Sequence, residues 1–205
     1  MKKVTFALFA LALFAVACSK NEKPANEATE PPKPEPTSEA PEYLAPQLIN
    51  GQTVGFVRIG MIVDSLPVKY PEYEFQEKPV FEFGVDGEAN GWLAVKDDKP
   101  QFFVWMLDGE NKVHGIVVLC DRFVTDNGLK VGTTVEEILE KYPEVEIQRD
   151  GLDPNMEFIN IEDKKITLHF VNQEGEYIGE YDTDNPDETS RSFDLDRKVD
   201  RIYVN

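Results

Sequence analysis

The chain has 205 residues, 41% of them hydrophobic, with thirteen Phe and two Trp, enough for one core of ordinary size. Asp and Glu outnumber Lys and Arg by 39 to 21, a formal net charge of −18. A chain this acidic repels phosphate backbones, so nucleic acid is excluded as an expected partner.

Met1-Lys2-Lys3 is a basic start, and Val4–Ala17 is an apolar run broken by one Thr. The run is too short to span a bilayer comfortably and ends in small residues, the pattern of a secretory signal over residues 1–18. Ala15-Val16-Ala17-Cys18 resembles the lipobox of bacterial lipoproteins. In that family the cysteine becomes the mature N-terminus and carries a diacylglyceryl thioether plus an N-acyl chain. The resemblance implies lipidation at Cys18, with anchoring at about 0.8 kcal/mol per buried methylene. Ser19 stands where an Asp would retain an enteric-type lipoprotein at the inner membrane, so the same resemblance implies the outer membrane. The face on which it sits stays open.

Residues 19–47 are rich in Pro, Glu, Lys and Ala around Pro31-Pro32-Lys33-Pro34-Glu35-Pro36. So few apolar side chains cannot offset the ordering entropy of the segment, which reads as a disordered tether. Extended at about 3.1 Å per residue, it would reach on the order of 90 Å.

The body carries an internal duplication. Arg58–Gln76 and Lys130–Gln148 share 8 of 19 positions at an offset of 72, where unrelated segments would share about one. Later, Lys112-Val113-His114-Gly115-Ile116-Val117-Val118 aligns with Lys198-Val199-Asp200-Arg201-Ile202-Tyr203-Val204 at an offset of 86. The larger offset places an insertion inside an acidic stretch over residues 174–196.

In the second copy Val135, Ile138, Leu139 and Tyr142 predict a helix face, with Thr133 and Glu136 at capping-box spacing and Pro143 as the stop. The first copy has Pro67 inside the same pattern, which predicts a shorter helix starting near Ser65. Strand-like runs follow each: Tyr73–Phe83, Gly91–Lys96, Gln101–Leu107 and Lys112–Cys120, then Val145–Gln148, Met156–Ile161, Ile166–Val171 and Arg197–Val204. Asp97-Asp98-Lys99-Pro100 reads as a loop. The expected fold class is α+β: two tandem helix-plus-antiparallel-meander repeats, residues 48–120 and 121–205, forming one body with helices on one face of the sheet. Glycine and hydrophobic spacing in these copies resembles tandem modules of the β-lactamase-inhibitor-like type, found singly in outer-membrane-assembly lipoproteins. More loosely, it is similar to envelope-stress-regulated lipoproteins of unknown function. Those resemblances imply protein–protein contact or an envelope role and carry over no catalytic residue.

Chemistry-bearing motifs are scarce. Neither His114 nor His169 belongs to a metal-ligand spacing, and alternation along Ile166–Val171 puts His169 on the side away from Ile166, Leu168 and Phe170, which reads as solvent. Cys120 ends an apolar run and reads as an inert thiol. Asp182, Asp184, Asp187 and Glu188 offer alternating oxygens that suit Ca²⁺, although Pro186 stands where a free backbone is needed. Otherwise the acidic insertion reads as solvated and mobile. Trp92, Phe103 and Trp105 are candidates for an exposed, partner-binding aromatic patch. The expected function is a membrane-anchored protein-binding or accessory module of the envelope, not an enzyme. The alternatives are a carboxylate-based hydrolase and a calcium-binding surface lipoprotein.

Overall fold

A computed structural model describes residues 47–151, 153–173, 176–182, 185 and 188–205. The expected leader, Cys18, the expected tether up to residue 46, Asp184 and Asp187 lie outside the described residues. In chain order the first strands are β1 (Gln47–Asn50), β2 (Thr53–Val54), β3 (Val57–Arg58), β4 (Glu74–Pro79), β5 (Asn90–Lys96), β6 (Lys99–Trp105) and β7 (Gly115–Val118). They are followed by β8 (Phe123–Thr125), β9 (Ile147–Arg149), β10 (Met156–Ile161), β11 (Ile166–Val171), β12 (Thr189–Ser190) and β13 (Arg201–Val204). The α-helices among the described residues are α1 (Leu66–Lys69) and α2 (Val135–Lys141).

The expected α+β class is therefore corrected: the described chain is mostly β, in two sheets. One is four-stranded, in the order β3-β2-β1-β8; the other is nine-stranded, in the order β12-β9-β10-β11-β13-β7-β6-β5-β4. The helices are too short to make a layer. Pro67 lies in the first turn of α1, and before it Val63–Ser65 is only a 3-10 turn. Helix α2 ends at Tyr142, ahead of Pro143, so its apolar pattern covers two turns. Much of the covering falls instead to the small sheet. Its Ile49, Val54, Val57 and Phe123 share one core with Leu66 of α1, Val135 and Ile138 of α2, and Phe102, Val104, Ile116, Ile159, Phe170 and Ile202 of the large sheet.

Local signals shift by a residue or two. The capping box is formed by Thr134 and Glu137, not Thr133 and Glu136: Thr134 Oγ1 accepts from Glu137 N, and Thr134 N donates to Glu137 Oε2 at 2.9 Å. Thr133 is buried and its hydroxyl accepts from Lys130 N. The loop expected at residues 97–100 is a two-residue turn. Asp97 and Asp98 both adopt left-handed φ, 52° and 60°, so that Lys99 and Pro100 enter β6. Residues 80–83, expected as strand, leave the sheet as a 3-10 turn and fold over its second face.

The duplicated segments make matching backbone bonds. Gly60 N donates to Val113 O at 2.7 Å and Gly132 N to Val199 O at 2.8 Å. Val113 N donates to Met61 O and Val199 N to Thr133 O, at 2.8 and 2.9 Å. Both glycines have left-handed φ, 81° and 88°. At the middle of the large sheet β7 pairs antiparallel with β13 in the register Ile116↔Val204, Val117↔Tyr203, Val118↔Ile202. Each residue faces the counterpart of its mirror position, so a local two-fold axis passes between Val117 and Tyr203.

Candidate functional site

The large sheet has a second face, and aromatic rings cross it. Alternation sends Phe103 and Trp105 of β6, Tyr203 of β13, His169 of β11 and Phe158 of β10 to this side. Trp105 and Tyr203 lie 6.3 Å apart, Tyr203 and His169 stack at 3.8 Å, and His169 and Phe158 stack at 5.7 Å. Phe83, from the turn over residues 80–83, stacks on Phe103 at 4.0 Å. Tyr203 donates its hydroxyl to Phe83 O, tying that turn down across the axis. Val80, Phe83, Leu93, Phe103, Trp105, Val117, Met156 and Tyr203 close into a second buried cluster.

Two glycines make room for the rings. A Cβ on Gly115 would stand 2.0 Å from Trp105, and one on Gly91 would stand 2.2 Å from Phe103. The bare backbone of β7 at Gly115 thus lets the indole approach it closely, tilted 57° to the Tyr203 ring. His114 N donates to Trp105 O at 2.8 Å, and Asp200 N to His169 O at 2.9 Å. Trp105 and His169 therefore occupy corresponding places on either side of the axis, and Arg201 replaces Gly115 beside the histidine.

The three aromatic candidates consequently form no exposed patch. Phe103 and Trp105 are buried under the turn. Trp92, directly opposite Val104, belongs to the other face and packs against the main core. His169, expected at solvent, is 6% exposed, and its Nδ1 has no hydrogen-bond partner. Burial holds its pKa down at about 4 against an ordinary 6.5, with Asp150 pulling upward and Arg201 pushing down. His114 is exposed, edge-on to Trp105 at 6.4 Å.

Where the covering turn ends, the second face opens into a groove of about 690 Å³. Trp105 and Tyr203 are buried residues of its lining; Gly84–Ala89 form one side, and Met106, Leu107, Asp108 and His114 the other. Leu107 is 47% exposed. Asp86, Glu88 and Asp108 line it, and neither Lys nor Arg does. A second groove, about 590 Å³, lies between the α2–β9 connection and the outer strands. Its charge is largely paired internally: Arg191 donates to Glu146 at 2.8 Å and to Glu144 at 3.0 Å, and Lys141 also lines it.

The acidic insertion is anchored where it is described. Glu157, fully buried, accepts from Asn172 Nδ2 and Ile178 N at 2.6 Å, Tyr181 Oη at 2.7 Å and Gly179 N at 3.0 Å. Four donors, two to each oxygen, fill the acceptor sites of this buried carboxyl group. Burial, then the Glu157 carboxylate, raise the Tyr181 pKa, so the phenol stays a donor. The Arg149 guanidinium covers the Tyr181 ring at 4.5 Å. Residues read as solvated and mobile thus include a buried Ile178 and add β12 to the sheet edge. Sequence reasoning missed Glu157, although a carboxylate on the inward side of the Ile159/Ile161 alternation was a signal.

Of the calcium candidates, Asp182 N donates to Glu188 Oε1 at 2.8 Å, and Glu188 also lies 3.8 Å from Arg149. No group of three or more His, Cys, Asp or Glu able to hold a metal occurs among the described residues. Cys120 is half-buried and 3.4 Å from Gln101 Oε1; burial pushes its thiol pKa up, away from nucleophilic use.

No family model matches the chain, and no curated protein sequence matches it. Among solved structures it is similar to the crystal structure of the uncharacterized protein YfeY from Escherichia coli, with a TM-score of 0.50. That alignment covers 77% of this chain and 98% of the other at 17% sequence identity, a likeness in fold alone.

Proposed function

We infer that this chain is a lipid-anchored protein of the bacterial outer membrane whose body binds another envelope protein. The groove over Trp105 and Tyr203 is the contact site. That groove carries the reading: a concavity floored by the largely buried Trp105 and Tyr203, with a half-exposed Leu107 beside it, is a pocket that suits a partner's apolar side chain. The Ala15-Val16-Ala17-Cys18 sequence and the Pro-rich segment behind it support the anchoring half, since a spacer of that length would let the groove reach partners away from the bilayer.

Each half has its own test. Cys18→Ser should move the protein from the membrane to the soluble fraction, and persistence in membranes would refute lipidation. A photo-crosslinking residue at Leu107 should give a discrete adduct in intact envelopes, while one at Val68, an exposed position on α1, should not. Adducts at Val68 with none at Leu107 would move the binding surface off the groove.

A further inference from the structure

We propose that the occupant of this groove is a cationic peptide segment, with Lys or Arg interspersed among apolar side chains. The inference rests on the binding reading above and adds the chemistry of the partner. Asp86 and Glu88 come from the segment that folds over the second face, and Asp108 comes from the loop after β6. Three carboxylates from two separate stretches therefore line one opening, with His114 beside them and neither Lys nor Arg in the lining. A neutral or acidic occupant would leave that charge uncompensated as water is displaced. A basic one meets it with charge-assisted hydrogen bonds.

The apolar part of the occupant has its own contacts. Trp105 and Tyr203 present aromatic surface at the bottom, where a cation is also attracted by the ring face. Leu107 is exposed, and the neighbouring Met106 has the flexible side chain that adapts to irregular shapes. Two competing occupants fit less well. After residue 47 the chain holds 33 acidic and 16 basic residues, so a second copy would bring like charge to the same opening. An anionic lipid surface would be repelled for the same reason.

The test uses full-length protein in zwitterionic micelles with Trp92→Phe, which leaves Trp105 as the single tryptophan. The probes are three synthetic nonapeptides: (Lys-Leu-Phe)₃ and its Gln and Glu analogues in place of Lys. The Lys peptide should shift Trp105 emission saturably, at least ~10-fold more tightly than the Gln analogue. Its affinity should fall several-fold between about 50 and 500 mM salt as the carboxylates are screened. The Glu analogue should not bind. Asp86→Asn with Glu88→Gln and Asp108→Asn should abolish the preference for Lys, and the same micelles in both arms remove any contribution from peptide partitioning. Equal binding of the Lys and Gln peptides, or an unchanged preference in the triple variant, would overturn the charge inference and leave groove binding standing. No response of Trp105 to any of the three would overturn both.

Discussion

The buried imidazole gives the sharpest forecast. His169 lies between the rings of Tyr203 and Phe158 with its Nδ1 unpartnered, so a proton on it would have to be carried without solvent. The unfolded chain binds that proton near pH 6.5, the fold only near pH 4. Between those values the unfolded state holds more protons, so stability falls as pH falls and is fully present only above pH 6.5. At ~1.36 kcal/mol per pH unit the loss is about 2 kcal/mol at pH 5 and about 3 kcal/mol once pH drops below 4. Urea unfolding at pH 7 and pH 5 should show it as a midpoint drop of about 1 M for a slope of ~2 kcal/mol per molar. His169→Phe keeps a ring in the stack and removes the proton site, so its drop should be smaller by that amount. Carboxylates titrating in the same interval are common to both proteins and cancel. Equal drops in the two proteins would refute the account of a solvent-starved imidazole.

Other perturbations separate the layers of the fold. Ile138→Ala, at a fully buried position of α2, should destabilise by about 2–5 kcal/mol in denaturant unfolding, and Leu139→Ala, half-buried beside it, by clearly less. Glu157→Gln keeps one acceptor oxygen but sets an amide NH2 against two of the four donors; it should destabilise by ~2–4 kcal/mol and raise hydrogen exchange across residues 176–182. Thiol labelling of Cys120 near pH 8 should be much slower than that of a free thiol, because burial raises its pKa; rapid labelling would mean that the strand end opens.

Several features were legible in the residues because they are local. The Gly60 and Gly132 stretches announce equivalent turns, since both need a left-handed φ at the same step before a short helix. Alternation along Ile166–Val171 assigns His169 the correct side of its strand. The mistake lay in equating that side with water. Trp92, Phe103 and Trp105 failed as a patch for a related reason: adjacent strands set Trp92 opposite Val104, on the face that Phe103 and Trp105 do not share.

By itself the sequence determined the repeated segments, the positions of most strands of the large sheet and several of its turns. These follow from dihedral preferences and from periods of two and 3.6 residues, which each segment carries independently of the rest. Only the tertiary structure decided that a turn over residues 80–83 would lie on the second face, that Glu157 would collect donors from residues 172–181, and that Asp86, Glu88 and Asp108 would border one groove. What excludes water from a residue is what packs above it. That covering comes from distant parts of the chain and leaves no period in the sequence it covers.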